Sequence, residues 1–228
     1  MKLFCLPYAG GSSVIYYKWK KIISHNIQLQ IVELKGRGSR FGEGFYNDLN
    51  EAVEDIYNMI KDKITEGNYA IFGHSMGSIL AYELYYKIIK EGKPKPKHIF
   101  FSAHRAPTFK KKGKIHALPD GEFIKKVIDL GGTPKEVVES KELLDFVTPI
   151  LRSDFKILEE YIYEEKEELI RSDVSVLIGE KDEITLKDAN AWGELVEKEI
   201  SIYSFEGNHF FINDEYKKII NLIEDKVL

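Results

Sequence analysis

The sequence predicts an α/β fold, a mostly parallel sheet with helices on both faces and a helical insertion late in the chain. Three observations carry this expectation. Short apolar runs that read as strands alternate with amphipathic helical stretches from residue 3 to residue 102. The alternation then gives way to a helical pattern over 113–166 with no strand inside it. Strand-like runs resume at 174–178 and 200–205, followed by a final amphipathic helix. The 228 residues suit one domain, 1–228, with 113–166 inserted as a lid over the carboxyl edge of the sheet.

Each element has a local reason. Leu3–Leu6 is a short buried strand, stopped by Pro7 and the Gly10-Gly11 pair. Ser12 or Ser13 caps a helix whose apolar positions Ile15, Trp19, Ile22 and Ile23 recur at helical spacing. A second strand, Leu29–Leu34, ends in the Gly-rich loop Gly36–Gly44. Asp48 caps a helix to about Ile64, with Leu49, Val53, Ile56, Tyr57 and Ile60 on one face. Tyr69–Phe72 is the third strand, Ile79–Ile89 a helix, Lys93–Lys97 a proline-punctuated loop and His98–Ser102 the fourth strand. In the insertion, Thr133-Pro134-Lys135-Glu136 reads as a helix start: a capping threonine, proline in the first turn, glutamate three residues on. Val174–Ile178 and Ile200–Phe205 are the last strands, and Ile219, Ile220 and Ile223 mark the closing helix.

Composition narrows the function classes. With 43% hydrophobic and 31% charged residues, a buried core is expected and disorder is not. A net charge of −4 argues against a nucleic-acid binder driven by phosphate contacts. The single cysteine, Cys5, excludes an intramolecular disulfide and any multi-cysteine metal site. Apolar runs such as Ile99–Phe101 are far too short to span a bilayer, and Met1–Pro7 leads into a loop rather than a cleavage site. The expectation is a soluble cytoplasmic monomer that binds neither nucleic acid nor membrane.

The segment Gly73-His74-Ser75-Met76-Gly77 matches G-x-S-x-G between a strand and a helix, the context that gives the pattern meaning. Such a turn strains the serine backbone, and glycines two residues either side let strand and helix close on it. It also places Ser75 at a helix N-terminus, where unpaired N–H groups favour developing negative charge. The competing reading is a fortuitous Gly-rich strand end. A serine hydroxyl needs a base within hydrogen-bond reach. Of six histidines, His209 alone sits in a loop between the last strand and the last helix; His74 should point into the fold as a structural residue. The acid should follow a late strand, and Asp182 stands just past Gly179, with Glu180, Glu183 and Asp188 as rivals. The oxyanion donors should be the N–H of Met76 and a backbone N–H from Pro7-Tyr8-Ala9-Gly10-Gly11: Ala9, with Tyr8 as the alternative.

These motifs, with others, carry a resemblance over nearly the whole chain. Its marks are Leu6–Gly11, Gly36–Arg40, Gly73–Gly77, Ser102–Pro107, Leu130–Pro134, Pro149–Phe155 and Gly207–Phe211. The sequence resembles the type II thioesterases, discrete editing enzymes of the α/β-hydrolase superfamily that accompany nonribosomal peptide and polyketide synthases. The family usually has proline where Lys35 stands and glycine where Ala103 stands. The resemblance implies hydrolysis of acyl groups from the phosphopantetheine arm of an acyl or peptidyl carrier protein. It implies no metal and no cofactor besides the arm that arrives with the substrate.

Other features have weaker readings. Lys110-Lys111-Lys112-Gly113-Lys114 is either a docking patch for an acidic carrier or a solvated loop, and Lys87–Lys97 is a more distant basic stretch. In the insertion, Phe123, Val127, Ile128, Leu143, Leu144, Phe146 and Ile150 either line an acyl channel or hold the lid to itself. Two rival functions remain at this stage. One is a carboxylesterase or chain-terminating acyl-carrier thioesterase; the other is a catalytically silent hydrolase-like binding protein.

Overall fold

The computed structural model of the chain describes residues 1–109, 113–133 and 135–228. The docking reading of Lys110–Lys112 and the Pro134 part of the expected helix start lie outside the described residues. Six strands, β1 (Lys2–Leu6), β2 (Gln28–Ile31), β3 (Tyr69–His74), β4 (His98–Ser102), β5 (Asp173–Gly179) and β6 (Ser201–Phe205), form one sheet. Their order is β2-β1-β3-β4-β5-β6 and every neighbouring pair is parallel. The helices are α1 (Leu49–Ile60), α2 (Met76–Lys90), α3 (Asp120–Asp129), α4 (Lys135–Val138), α5 (Lys141–Glu160), α6 (Leu186–Asn190) and α7 (Tyr216–Val227).

A parallel sheet needs both faces covered, so its strands are apolar on both sides. In β1, Phe4 and Leu6 join the core beneath α1 and α2, while Leu3 and Cys5 join the core beneath α7. Asp48 caps α1 as its sequence requires, its side chain accepting from the Glu51 N–H at 2.8 Å. The chain runs outward from β1 to β2 and then returns past β1 to β3. That reversal opens a crevice at the carboxyl ends of β1 and β3, the place where open α/β sheets hold their ligands.

One expected helix is replaced. Over 13–23 the chain forms two short 3-10 turns, Ser13–Tyr16 and Trp19–Lys21, in place of a continuous α-helix. The reason is composition and tertiary pull. Val14, Ile15, Tyr16 and Tyr17 are weak helix formers, and Tyr16 is drawn inward to donate its hydroxyl to Leu6 O at 2.7 Å. Strand β2 stops at Ile31 and α1 at Ile60, both shorter than their apolar patterns suggest. Between β4 and β5, α3 and α5 share a small core of Phe123, Val127 and Leu151.

Buried imidazoles make stability depend on pH. His98 is 4% exposed, stacks on Phe100 at 4.3 Å, and its Nε2 lies 2.9 Å from Ser175 Oγ. Burial pushes its pKa down to about 4, and burial likewise holds buried His74 well below the usual range. Below pH 6.5 the unfolded chain takes up protons that the folded chain refuses, so stability falls with pH. For His98 the loss reaches about 3 kcal/mol by pH 4. The thermal unfolding midpoint should therefore drop between pH 6.5 and 4, and more shallowly in His98→Gln. An unchanged pH slope in that variant would refute the assignment.

Candidate active site

At the end of β3 the backbone turns through Gly73–Gly77 into α2. Ser75 sits at the turn with φ 54° and ψ −117°, a conformation that side-chain-bearing residues rarely adopt. Strand β4 and the first turn of α2 hold it there: the Ser75 N–H donates to Ser102 O at 2.7 Å, and Ser78 N–H donates to Ser75 O at 2.8 Å. The turn is tight enough that a Cβ on Gly73 would lie 2.0 Å from Gly77 O, and one on Gly77 only 2.5 Å from Leu6 O. Both glycines are thus required by close backbone approach, which seats α2 against the carboxyl end of β1.

His209 lies in the loop between β6 and α7, and its Nε2 is 2.9 Å from Ser75 Oγ. Its Nδ1 is 2.9 Å from Asp182 Oδ2, a carboxylate whose side chain is 2% exposed. The loops that bring these two residues together are joined by backbone bonds, Lys181 N–H to Gly207 O and Glu180 N–H to Phe205 O, each 2.9 Å. The arrangement can serve acyl transfer at a serine, a chemistry in which an imidazole accepts the hydroxyl proton while a carboxylate sets its tautomer. The rival acids do not meet His209. Asp188 caps α6 through Thr185 and pairs with Arg105, whereas Glu183 is 74% exposed; Glu180 is exposed.

His74 points into the fold, as its place before the serine suggests, and it also holds the histidine loop. Its Nε2 lies 3.0 Å from the backbone oxygen of His209, so that nitrogen is the donor and Nδ1 accepts from Ser102 Oγ at 2.8 Å. Ser102 had no role on sequence grounds; only its position beside β3 supplies one. Of the other histidines, His25 is exposed, His98 bonds Ser175 and His116 pairs with Glu159, whereas His104, whose Nδ1 meets Arg105 O, lines the same cleft as Ser75.

Ala9 and Tyr8 line the same crevice as Ser75 and His209, within a cleft of about 830 Å³. Among the described residues no acceptor is paired with the N–H of Met76 or of Ala9. Tyr8 O instead accepts the Gly11 N–H at 2.9 Å. Because a peptide unit is planar and trans, the Ala9 N–H points opposite to that carbonyl. The far wall of the cleft comes from the helical segment, chiefly Leu151, Phe155, Leu158, Tyr161 and Ile162. Of the seven lid residues singled out in the sequence, Val127 alone lines the cleft. Phe123 packs inside the helical segment, and Phe146 is exposed, stacked on Phe41 at 5.1 Å.

The two departures from the family pattern have local explanations. Ala103 has φ 52°, a backbone for which glycine is better suited. Lys35 donates its backbone N–H to the Tyr46 hydroxyl at 3.1 Å, a bond proline would not form. Among the described residues, no group of three or more His, Cys, Asp or Glu side chains is placed to hold a metal ion. No helix among them is long and apolar enough to cross a membrane.

Comparison with known proteins agrees with this geometry. The family model described as a thioesterase domain matches residues 1–227. The protein named linear gramicidin dehydrogenase LgrE, from Brevibacillus parabrevis, is 34% identical over 97% of this chain and 86% of its own length. The word dehydrogenase is that relative's own; a serine hydroxyl bonded to an imidazole on a strained turn is an acyl-transfer arrangement. The crystal structure of ClbQ, from the colibactin NRPS/PKS pathway, superposes with a TM-score of 0.94 at 33% identity, covering 99% of this chain and 96% of that one. The type II thioesterase BorB, from the borrelidin biosynthetic cluster, gives 0.90 at 28% identity, covering 100% and 92%. Six parallel strands, a strained serine turn and a family match along the whole chain lead to one assignment: this chain belongs to the thioesterase family, with the α/β-hydrolase fold, and is a thioester hydrolase.

Proposed function

We propose that Ser75 is the nucleophile, His209 the general base and acid, and Asp182 the carboxylate that orients it. Met76 and Ala9 supply the oxyanion donors, and residues 113–166 act as a lid within a single domain, 1–228. The thioester is carried on the phosphopantetheine arm of an acyl or peptidyl carrier protein, in a nonribosomal peptide or polyketide synthase. The enzyme frees that arm of stalled or wrongly loaded acyl groups, acting as a cytoplasmic monomer without a resident cofactor. The observation that carries the chemistry is the pair of 2.9 Å contacts, Ser75 Oγ to His209 Nε2 and His209 Nδ1 to Asp182 Oδ2, opening on a cleft of about 830 Å³. The pathway reading is supported by the likeness to ClbQ, from the colibactin NRPS/PKS pathway, and to BorB, a type II thioesterase from the borrelidin biosynthetic cluster.

The steps follow from the geometry. Ser75 Oγ attacks the thioester carbonyl carbon as its proton passes to His209 Nε2, and the carbonyl oxygen becomes an oxyanion facing the two N–H groups. Collapse of the tetrahedral intermediate breaks the C–S bond, and the imidazolium protonates the departing pantetheine sulfur. A water then gives its proton to His209 and attacks the acyl-serine; the second collapse returns the proton to Ser75 Oγ and releases a carboxylic acid. The buried Asp182 carboxylate stabilises the imidazolium in both halves of the reaction.

Ser75→Ala and His209→Ala should each lower kcat by roughly 10⁴-fold or more with the fold intact, and Asp182→Asn by less, as in other serine triads. If Asp182→Asn turns over like wild type while Glu180→Gln or Asp188→Asn is crippled, the acid is wrongly assigned. Substrate choice is tested separately. An acetyl group buries only about 1–2 kcal/mol of apolar surface, so discrimination must draw on the carrier as well as on the acyl chain. One acyl group compared on carrier protein and on free pantetheine should give the higher kcat/KM on the carrier. Equal efficiencies would make the protein a general small-thioester hydrolase.

A further inference from the structure

Among the described residues, the most completely buried ion pair lies outside the serine relay. Arg37, in the loop after β2, and Asp154, in the middle of α5, have side chains 3% and 1% exposed. Among the described residues no other ion pair has both partners so fully enclosed. The guanidinium is bidentate, Nη1 lying 2.5 Å from Oδ2 and Nη2 2.6 Å from Oδ1. Desolvating two charges in one place is costly, and apolar residues of similar volume usually stabilise such a site as well or better. Core stability therefore does not explain the pair, and its remaining contacts show where it acts.

Those contacts converge on the loop after β1. Asp154 Oδ2 accepts the Gly10 N–H at 2.7 Å, and Arg37 Nη1 donates to Gly11 O at 3.3 Å. Arg37 Nε also donates to Lys35 O at 3.2 Å, which ties in the loop after β2. Gly10 has φ 76°, and a Cβ there would lie 2.4 Å from Leu151 Cδ2, so α5 rests directly on this loop. The Gly10 N–H belongs to the peptide unit immediately after that of Ala9 N–H. With Tyr8 O held by Gly11 N–H and Gly10 N–H held by Asp154, the planes on both sides of the Ala9 Cα are fixed. A lone carboxylate beside this loop would oppose negative charge developing there; the bidentate guanidinium neutralises it, and Oδ2 accepts from both Arg37 Nη1 and the Gly10 N–H.

We propose that Arg37 and Asp154 are positioning residues for the oxyanion loop, fixing the Ala9 N–H toward the acyl oxygen and making its alignment conditional on the seating of α5. The proposal rests on the reading of Ser75 as nucleophile and Ala9 as oxyanion donor. It goes beyond that reading in assigning work to two residues that touch no reacting atom.

The test uses the full-length enzyme with an acyl-pantetheine thioester and two inhibitors built on the same acyl-pantetheine frame. One is a trifluoromethyl ketone, which forms a tetrahedral adduct with the serine and needs the hole; the other is an unreactive thioether, which does not. Asp154→Ala and Arg37→Met should lower kcat by roughly 10²–10³-fold, the loss of one oxyanion donor, and weaken the trifluoromethyl ketone by a similar factor. KM and thioether affinity should move by no more than about threefold, because ground-state binding is untouched. Asp154→Asn, which keeps an acceptor for Gly10, should recover part of the loss. Since either single variant leaves a buried charge unpaired, the double variant Arg37→Met/Asp154→Leu tests the idea with the fold preserved. It should unfold at or above the wild-type midpoint yet retain the kcat defect. Wild-type kcat and ketone affinity in the double variant, with Ser75→Ala inactive, would overturn this proposal alone; turnover by Ser75→Ala would instead overturn the reading beneath it.

Discussion

The contact on which the site depends is the meeting of β1, β3 and α2 at the serine turn. Gly77 sits where any Cβ would collide with the Leu6 carbonyl, and Gly73 sits against Gly77 itself. That proximity lets α2 begin one residue after Ser75, with its first N–H facing the crevice rather than another carbonyl. The positive φ of Ser75 is the conformational cost of the geometry, and the bond from its N–H to Ser102 O in β4 helps maintain it. Register in the sheet and exposure of the hydroxyl are therefore one constraint. A slip of β3 against β4 would release the strained turn.

Two histidines a few ångströms apart have different environments, and the difference organises the site. His74 is fully buried and held neutral by desolvation, so it serves as a fixed donor to the His209 carbonyl. His209 retains 19% side-chain exposure, opens toward the cleft, and has the buried Asp182 carboxylate 2.9 Å from its Nδ1. Phe210 packs edge-on against both Tyr8 and His209, at 5.0 and 5.1 Å. The loop carrying the proposed base and the loop carrying the proposed oxyanion donor therefore share a ring. Neither can shift far without disturbing the other.

Much of the fold was legible because its signals are local. The Asp48 cap, the alternating apolar strands and the glycine pair around Ser75 each act within a few residues of where they are written. The span from Ser13 to Ile23 shows where such reading fails. Its apolar spacing suits a helix, but Tyr16 gains more by placing its ring and hydroxyl against β1 than by completing helical turns. The two readings of the lid residues stayed unsorted for a related reason. Helical periodicity says which residues share a face but not what that face meets, so Phe146 came out exposed against Phe41 while Leu158 lines the cleft.

By itself the sequence determined the α/β alternation, the strand-turn-helix setting of Ser75 and the order of serine, acid and histidine along the chain. Gly36–Arg40 and Pro149–Phe155 stood out in it as marks of the family resemblance, with no task given to Arg37 or Asp154. The sequence named Asp182 ahead of three rival acids, but only the tertiary structure set its carboxylate against His209 Nδ1, because that contact depends on which residue the Gly207 loop meets across the sheet edge. Only the tertiary structure joined Arg37 to Asp154, partners 117 residues apart. Helix and turn preferences are set by neighbours within about one turn. Ion pairs and hydrogen bonds are set by distances of a few ångströms in space, which the folded sheet alone establishes.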